Sequence, residues 1–318
     1  MRHPTRKSPP GTTGAHAPGG FRSLLIPIDL TALSDRVVGR ALSLPIATGA
    51  TITLAHVVPS SLPVRARREA EKDARGALVG EVLHAAKVLR PDVTIKHMVS
   101  VGAPAQEIGA LATRVKADLI VMGRGGGRPL RDSLLGSTAE RVIRQARTPV
   151  LVVRLPARGP YRRPALGLDT DDAAEAVLSM LFRVIPGPRR RFTVVHAHDA
   201  PYLGLVYASL SSEEMAKVER QFRHTATVRL GELVARATRS HSDTADERPL
   251  FKTYVRHGDP RTVIKAAAKK LDTDLLLLGT HGYTAAAQLF LGTVAGDVLR
   301  DVRSDVLVVP PRPHRGSR

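Results

Sequence analysis

Leu119-Ile120-Val121-Met122-Gly123-Arg124-Gly125-Gly126, then nine residues, then Gly136-Ser137-Thr138, is an apolar strand signal, a glycine loop and a helix start in succession. That succession decides the fold. Its glycine spacing, Gly123-x2-Gly126-x9-Gly136-Ser137, recurs 156 residues later as Gly279-x2-Gly282-x9-Gly292-Thr293, between the apolar run Leu275 to Leu278 and Val294. Glycines let a backbone turn sharply and approach an anion closely. The unpaired amides of a helix's first turn point at that anion, and the helix dipole adds partial positive charge. Each copy is therefore half of a phosphate-binding pocket, with Ser137 or Thr293 placed to cap the helix or touch the terminal phosphate.

Other landmarks repeat. Ile28-Asp29 returns as Leu168-Asp169 and His56-Val57 as His196-Ala197, both 140 residues on. Gly102-Ala103-Pro104 returns as Gly258-Asp259-Pro260 and Asp118-Leu119 as Asp274-Leu275, now 156 residues on, so the second copy carries 16 extra residues between His196 and Gly258. Self-similarity at so long a period means two homologous domains, not a solenoid of short repeats.

An Asp ending the first strand, with G-x2-G-x9-G-[ST] after the fourth, closely resembles the universal stress protein family in a tandem form. The resemblance covers nearly everything from Phe21 to Pro310. It implies two doubly wound α/β domains, each a five-stranded, mostly parallel sheet flanked by helices, related by a pseudo-twofold axis. In that family the motif separates members that bind ATP from those that do not. The resemblance implies that Asp29 and Asp169 contact the nucleoside end, that Pro27 to Asp29 lie along the adenine, and that Val57 and Ala197 supply backbone and an apolar wall to the base. An acid capping the helix that follows is the alternative for Asp29.

Phosphate contacts are expected from Gly123 and the amides of Gly126, Gly136, Ser137 and Thr138. Their counterparts are Gly279, Gly282, Gly292, Thr293 and Val294. The first loop also carries Arg124, Arg128 and Arg131, whereas the second carries only His281, and Asp171 and Asp172 add negative charge near the second pocket where the first half has Thr31 and Ala32. First-site phosphate binding should be the stronger. Mg²⁺ is expected with the phosphates, because it bridges phosphate oxygens and takes few protein ligands. No G-x4-G-K-[ST] pattern occurs in either loop, so the P-loop lysine arrangement is absent. His56 and His196 read as core or edge histidines, no nucleophile with its base can be assigned, and any ATP hydrolysis should be slow.

The net charge of +19 invites a nucleic-acid role, so its location matters. Thirteen of the basic residues fall in Arg2 to Lys7, Arg154 to Arg163, Arg189 to Arg191 and Arg312 to Arg318, stretches without an acidic residue. That excess reads as solvated edges, with salt-sensitive attraction to polyanions as the alternative. With aromatics at 3% and no nucleic-acid module in view, solvation is favoured. The chain has no cysteine, which excludes disulfides and thiolate catalysis. No run reaches the roughly 18 to 20 apolar residues a bilayer span needs, and the first twenty residues lack a secretory hydrophobic segment, so the expectation is a cytoplasmic, non-membrane protein.

Strand and helix signals alternate through the first half: strand Ser23 to Ile28, helix Val37 to Ala47, strand Thr51 to Val57, helix Ala66 to Leu89, strand Val93 to Val99, helix Ala105 to Val115, strand Asp118 to Met122, helix Thr138 to Gln145 and strand Val150 to Val153. Such a sheet binds ligands beyond the carboxyl ends of its strands, where the strand order switches. Asp29, Val57 and Gly123 fall there. The second half repeats the plan, with its extra residues around a helix from Ser211 to Arg239, read as an amphipathic surface helix, and a polar stretch from Ser240 to Glu247. The expected division is a basic tail over 1–20, domains over 21–154 and 164–310, a linker over 155–163 and a basic tail over 311–318. Val150 to Val153 and Val306 to Val309 are matching edge strands. The resemblance implies that they pair antiparallel as an intramolecular pseudo-dimer; a homodimer and a protein partner stay open. A stress or regulatory factor governed by ATP occupancy is favoured over an adenine-nucleotide enzyme or a nucleic-acid adaptor.

Overall fold

The apolar runs form the strands of one sheet, and the amphipathic stretches between them cover both of its faces. The computed structural model describes residues 20–31, 33–125, 136–169, 173–187, 190–198, 211–239, 248–280 and 293–311. The first half runs β1 (Phe21–Pro27), α1 (Ser34–Leu42), β2 (Ile46–Pro59), α2 (Val64–Ala86), β3 (Thr94–Gly102), α3 (Pro104–Arg114), β4 (Leu119–Gly123), α4 (Ser137–Gln145) and β5 (Val150–Val153). The second runs β6 (Pro164–Gly167), α5 (Ala173–Val184), β7 (Arg191–His198), α6 (Ser212–Arg239), β8 (Leu250–His257), α7 (Pro260–Lys270), β9 (Leu275–Gly279), α8 (Thr293–Asp301) and β10 (Asp305–Val309).

The strand order is β3-β2-β1-β4-β5-β10-β9-β6-β7-β8. Neighbours within each half are parallel. The halves meet through β5 and β10, which pair antiparallel with Val152 opposite Val306, Leu151 opposite Leu307 and Val150 opposite Val308. Period-two alternation sends Val150, Val152, Val306 and Val308 into the core under α3, α4, α7 and α8. Leu151, Val153, Leu307 and Val309 go into the core under α1, α2, α5 and α6. Both cores thus run through the join, and two potential sheet edges disappear into the middle of one sheet. Burying each of these Val or Leu side chains contributes about 1.5–3 kcal/mol.

Two sequence expectations need correction. The helix expected over Val37 to Ala47 ends at Leu42, and Ala47 belongs to β2. Pro45 explains the shift: it removes a helix donor, biases the residue before it out of the helical region, and its carbonyl accepts from Phe21 N at the start of β1. The second correction concerns part of the basic stretch Arg154 to Arg163, read as solvated: Arg158, Arg162 and Arg163 are exposed as expected, but the stretch is anchored at two other residues. Arg154 is half-buried and Tyr161 is 7% exposed.

What holds that stretch is Asp305, fully buried at the start of β10. Its Oδ1 accepts from Arg154 N at 2.7 Å and Leu155 N at 2.8 Å, and its Oδ2 accepts from Tyr161 OH at 2.7 Å. Arg40 of α1 forms an ion pair with Oδ2 at 3.1 Å, donates to the carbonyls of Gly159 and Pro156, and stacks its guanidinium 4.1 Å from the Tyr161 ring centroid. Burial pushes the Asp305 carboxyl up from its ordinary value while these donors pull it down. Burial, then the Asp305 charge, raises the Tyr161 hydroxyl well above its usual 10.0. A second clamp comes from Asp274, which accepts from the amides of Arg162 and Arg163. One element of each half and the connection between them therefore share a single polar knot.

In the first half the chain runs from β1 out to β2 and β3, then returns to β4 and β5 on the other side of β1. The switch lies between the carboxyl ends of β1 and β4, where opposed crossovers leave a crevice. Among the described residues no helix is long and apolar enough to cross a membrane. The tails over 1–19 and 312–318, with most of their basic residues, lie outside the described residues, as do the segments over 199–210 and 240–247 that flank α6.

Candidate functional site

At that switch sits a crevice of about 360 Å³, within the usual range for small-ligand sites. Pro27, Ile28 and Asp29 enter from the end of β1, Ala55 to Val57 from β2, and Met122 to Gly125 from β4 and the residues after it. Thr138 of α4, Ile108 of α3 and Val37 of α1 close the sides. The apolar part is lined by Pro27, Ile28, Ala55, Val57, Ile108 and Met122. The polar part is cationic, with Arg36, Arg124 and Arg154 all on the lining.

Local chemistry sets each position. Asp29 Oδ1 accepts from Thr31 N at 3.2 Å, Thr31 Oγ1 at 2.7 Å and Ser34 Oγ at 3.2 Å. Such bonds hold the turn into α1, and Leu30 within it adopts φ 58°, a left-handed conformation that costs a non-glycine residue about 1–2 kcal/mol. Asp29 does not cap α1, whose N-cap position is Leu33 with no side-chain cap among the described residues; its Oδ1 braces the turn before the helix, while Oδ2 makes no hydrogen bond and the residue is exposed on the crevice rim. His56 places Nδ1 2.9 Å from the Ile28 carbonyl. A carbonyl only accepts, so Nδ1 carries the hydrogen, and the neutral ring keeps Nε2 as an acceptor. His196 makes the same bond to Leu168 O at 2.9 Å, so both histidines first of all hold the end of the neighbouring strand.

Gly136 shows why a glycine closes the loop. Its N–H donates to Arg124 O at 2.7 Å, and a Cβ there would lie 2.8 Å from that oxygen and 3.0 Å from the Gly125 carbonyl carbon, both backbone. Any side chain would force the two ends of the loop apart. Gly136 is also the cap of α4, and among the described residues no side chain caps that helix. Compare α7, whose first turn is closed by Asp259 accepting from Thr262 N at 3.1 Å. The first-turn amides of α4 beside the crevice therefore stay available to an acceptor.

Of the positions expected from the sequence, Pro27, Asp29, Val57, Gly123 and Thr138 converge on this one crevice, and Gly136 and Ser137 lie at its helix start, Ser137 exposed. Gly126, Arg128 and Arg131 lie outside the described residues. Arg36 and Arg154 were not singled out for the site. No local motif marks them, since one lies on a helix face and the other in the connection between halves.

The second half places Asp169, Ala197 and Gly279 at the same strand ends and begins α8 at Thr293 and Val294. Gly282, Gly292, His281, Asp171 and Asp172 lie outside the described residues. The position of Pro27 is Gly167 there, and a Cβ on it would lie 2.7 Å from Leu278 Cδ2 and 3.1 Å from Ile264 Cδ1. Those side chains, counterparts of Met122 and Ile108, fill the space over the strand. At the same offsets Arg36, Arg124 and Arg154 become Ala176, Thr280 and Pro310. Among the described residues, the second half thus has side chains packed close over Gly167 and none of the three arginines at the corresponding positions.

A doubly wound sheet with a crevice at its switch point, repeated in tandem and joined edge to edge, defines a two-domain α/β protein. The sequence profile of the universal stress protein family matches residues 20–154 and 160–310, so the chain belongs to that family. A universal stress protein of Mycolicibacterium smegmatis is 26% identical over 310 residues, covering 91% of this chain and 97% of that one. A universal stress protein of Methanocaldococcus jannaschii is 56% identical over 57 residues, a match that spans 18% of this chain and 34% of the relative. The crystal structure of a universal stress protein from Archaeoglobus fulgidus superposes with a TM-score of 0.62 at 15% identity, covering 91% of this chain and 98% of that one, which establishes the shared fold.

Proposed function

We propose that this chain is a nucleotide-dependent regulatory member of its family that holds one adenine nucleotide, ATP, in the first crevice, and that occupancy rather than turnover is its output. The observation that carries this is the convergence at one switch point of an apolar slot between Pro27 and Val57, a carboxylate at Asp29, a glycine-closed loop at Gly136 and an uncapped helix start at α4. The slot suits a base, Asp29 Oδ2 suits ribose hydroxyls, and the loop, helix amides and arginines suit phosphates. Among the described residues no group of three or more His, Cys, Asp or Glu could hold a metal ion on its own. Mg²⁺ would accordingly arrive on the phosphates and take most of its ligands from them and from water. A cytoplasmic stress-response role follows from the same assignment.

The test is a titration of the purified chain with ATP and adenosine, alongside a turnover assay. Saturable ATP binding with release of product slower than about one per minute supports a binding switch; turnover in the ordinary enzyme range of roughly 1–10³ s⁻¹ would make the chain an enzyme instead. Failure to bind either compound would remove the nucleotide assignment.

A further inference from the structure

We propose that Arg154, held in place by the second half of the chain, is the residue with which the first crevice selects the anionic end of its ligand, so that the second half serves as a buttress for the first site. The proposal rests on the nucleotide assignment only for the ligand's other end. Arg154 leaves β5 and lines the crevice, yet its guanidinium is bound across the join: one terminal nitrogen donates to Val302 O at 2.8 Å and the other to Leu299 O, both at the end of α8, and its backbone N–H goes to Asp305. That geometry fixes a long, entropic side chain in one pose and leaves Nε as the guanidinium nitrogen without a partner among the described residues. Nε is buried and has no hydrogen-bond partner.

A buried N–H without an acceptor costs free energy, and at a cationic group it calls for an anionic oxygen. The charges around it divide: Asp305 and Asp301 favour the Arg154 cation and Arg124 opposes it. Arg36 donates from its guanidinium to the Arg154 carbonyl at 2.9 Å, and Arg124 lies near enough on the same lining to oppose the Arg154 charge. Burial first, and Arg124 second, bring the Arg154 guanidinium down to about 10 against the opposite pull of Asp305 and Asp301, so it is still a cation at neutral pH and a partly compensated one. An anion at the crevice would offset the repulsion between the two guanidiniums and, with a shift of the side chain that uncovers Nε, accept from it. Pro310, the counterpart of Arg154 at the end of β10, has neither charge nor donor, so the device exists once per chain.

The full chain and its variants are titrated with tripolyphosphate, ATP and adenosine, with hydrogen exchange followed on the wild type. Arg154→Met should weaken tripolyphosphate and ATP at least tenfold while adenosine stays within twofold, and Arg154→Lys, which keeps the charge but not the Nε–H, should restore only part. Tripolyphosphate should also slow amide exchange at the end of α8, including Val302 N–H, which donates to Val298 O. Should Arg154→Met not fold, that exchange measurement decides. Equal tripolyphosphate binding by wild type and Arg154→Met, absence of tripolyphosphate binding, or unchanged exchange at α8 overturns the proposal. Tripolyphosphate binding that needs Arg154, together with no binding of ATP or adenosine, leaves this proposal standing and removes the nucleotide assignment; ATP binding indifferent to Arg154 does the reverse.

Discussion

Replacing Asp305 by alanine should be among the most damaging single changes in the chain, although Asp305 belongs to neither glycine motif. The carboxylate is fully buried and takes two backbone amides, one hydroxyl and the Arg40 ion pair. Arg40 is itself only 4% exposed, so Asp305→Ala leaves a guanidinium buried beside the Tyr161 ring without its counter-charge. Removing one member of a buried pair costs about 3–5 kcal/mol. Set against a typical stability of about 5–15 kcal/mol, that is a large fraction. Urea unfolding followed by far-ultraviolet circular dichroism should show the loss. A double cycle with Arg40→Met should show that most of it vanishes when both charges are gone, since the desolvation cost of the orphaned partner disappears. A loss under about 1 kcal/mol for Asp305→Ala would refute a buried, paired charge at the join.

Other consequences are equally direct. Gly136→Val should lower ATP affinity at least tenfold, about 1.4 kcal/mol, with the chain still folded, because its Cβ meets backbone on both sides; unchanged affinity in calorimetry would contradict the loop assignment. Calorimetry should also find one site per chain, weakened by Arg124→Ala; two sites of equal affinity would count against the asymmetry seen at Gly167 and at the three arginines. Because the Tyr161 hydroxyl is raised above its ordinary value, its contribution is constant below pH 10 and is lost as the pH climbs from 10 toward the raised value. Thermal melting of the wild type should therefore fall in that window, and Tyr161→Phe should be less stable at neutral pH yet show a flatter alkaline slope; parallel slopes would be the contrary result.

The glycine repeat and its flanking offsets made the tandem α/β fold legible in the sequence, because each offset ties a strand end to a helix start and strand ends are where period and composition change together. The pairing of β5 with β10 was legible only through resemblance: a four-residue run of Val and Leu has the composition of any buried strand and names no partner. The site divided along the same line. Asp29, Val57 and Gly123 could be placed at strand ends by pattern, and the structure brings them to one crevice. Arg36 and Arg154 could not, because their roles depend on which helix face and which connection happen to pass the crevice. The anchoring of the connection between the halves was missed for a related reason. Its composition, rich in Arg, Pro and Gly, is that of solvated linkers, and its arginines other than Arg154 are indeed exposed, but Asp305 and Asp274, far along the chain, fix its backbone and bury Tyr161. Substituting lysine at Val152 or Val308 would not isolate the join, since both side chains belong to the core under α4 and α8.

The most direct measurement of the central claim is the nucleotide that the full chain carries or binds at saturation, identified by mass and counted per chain, for the wild type and for Gly136→Val. A single site in the first crevice predicts one adenine nucleotide per chain, lost in the Gly136→Val protein while the circular dichroism spectrum is unchanged. No bound nucleotide at millimolar ATP, or one per chain retained by the folded Gly136→Val protein, would contradict it.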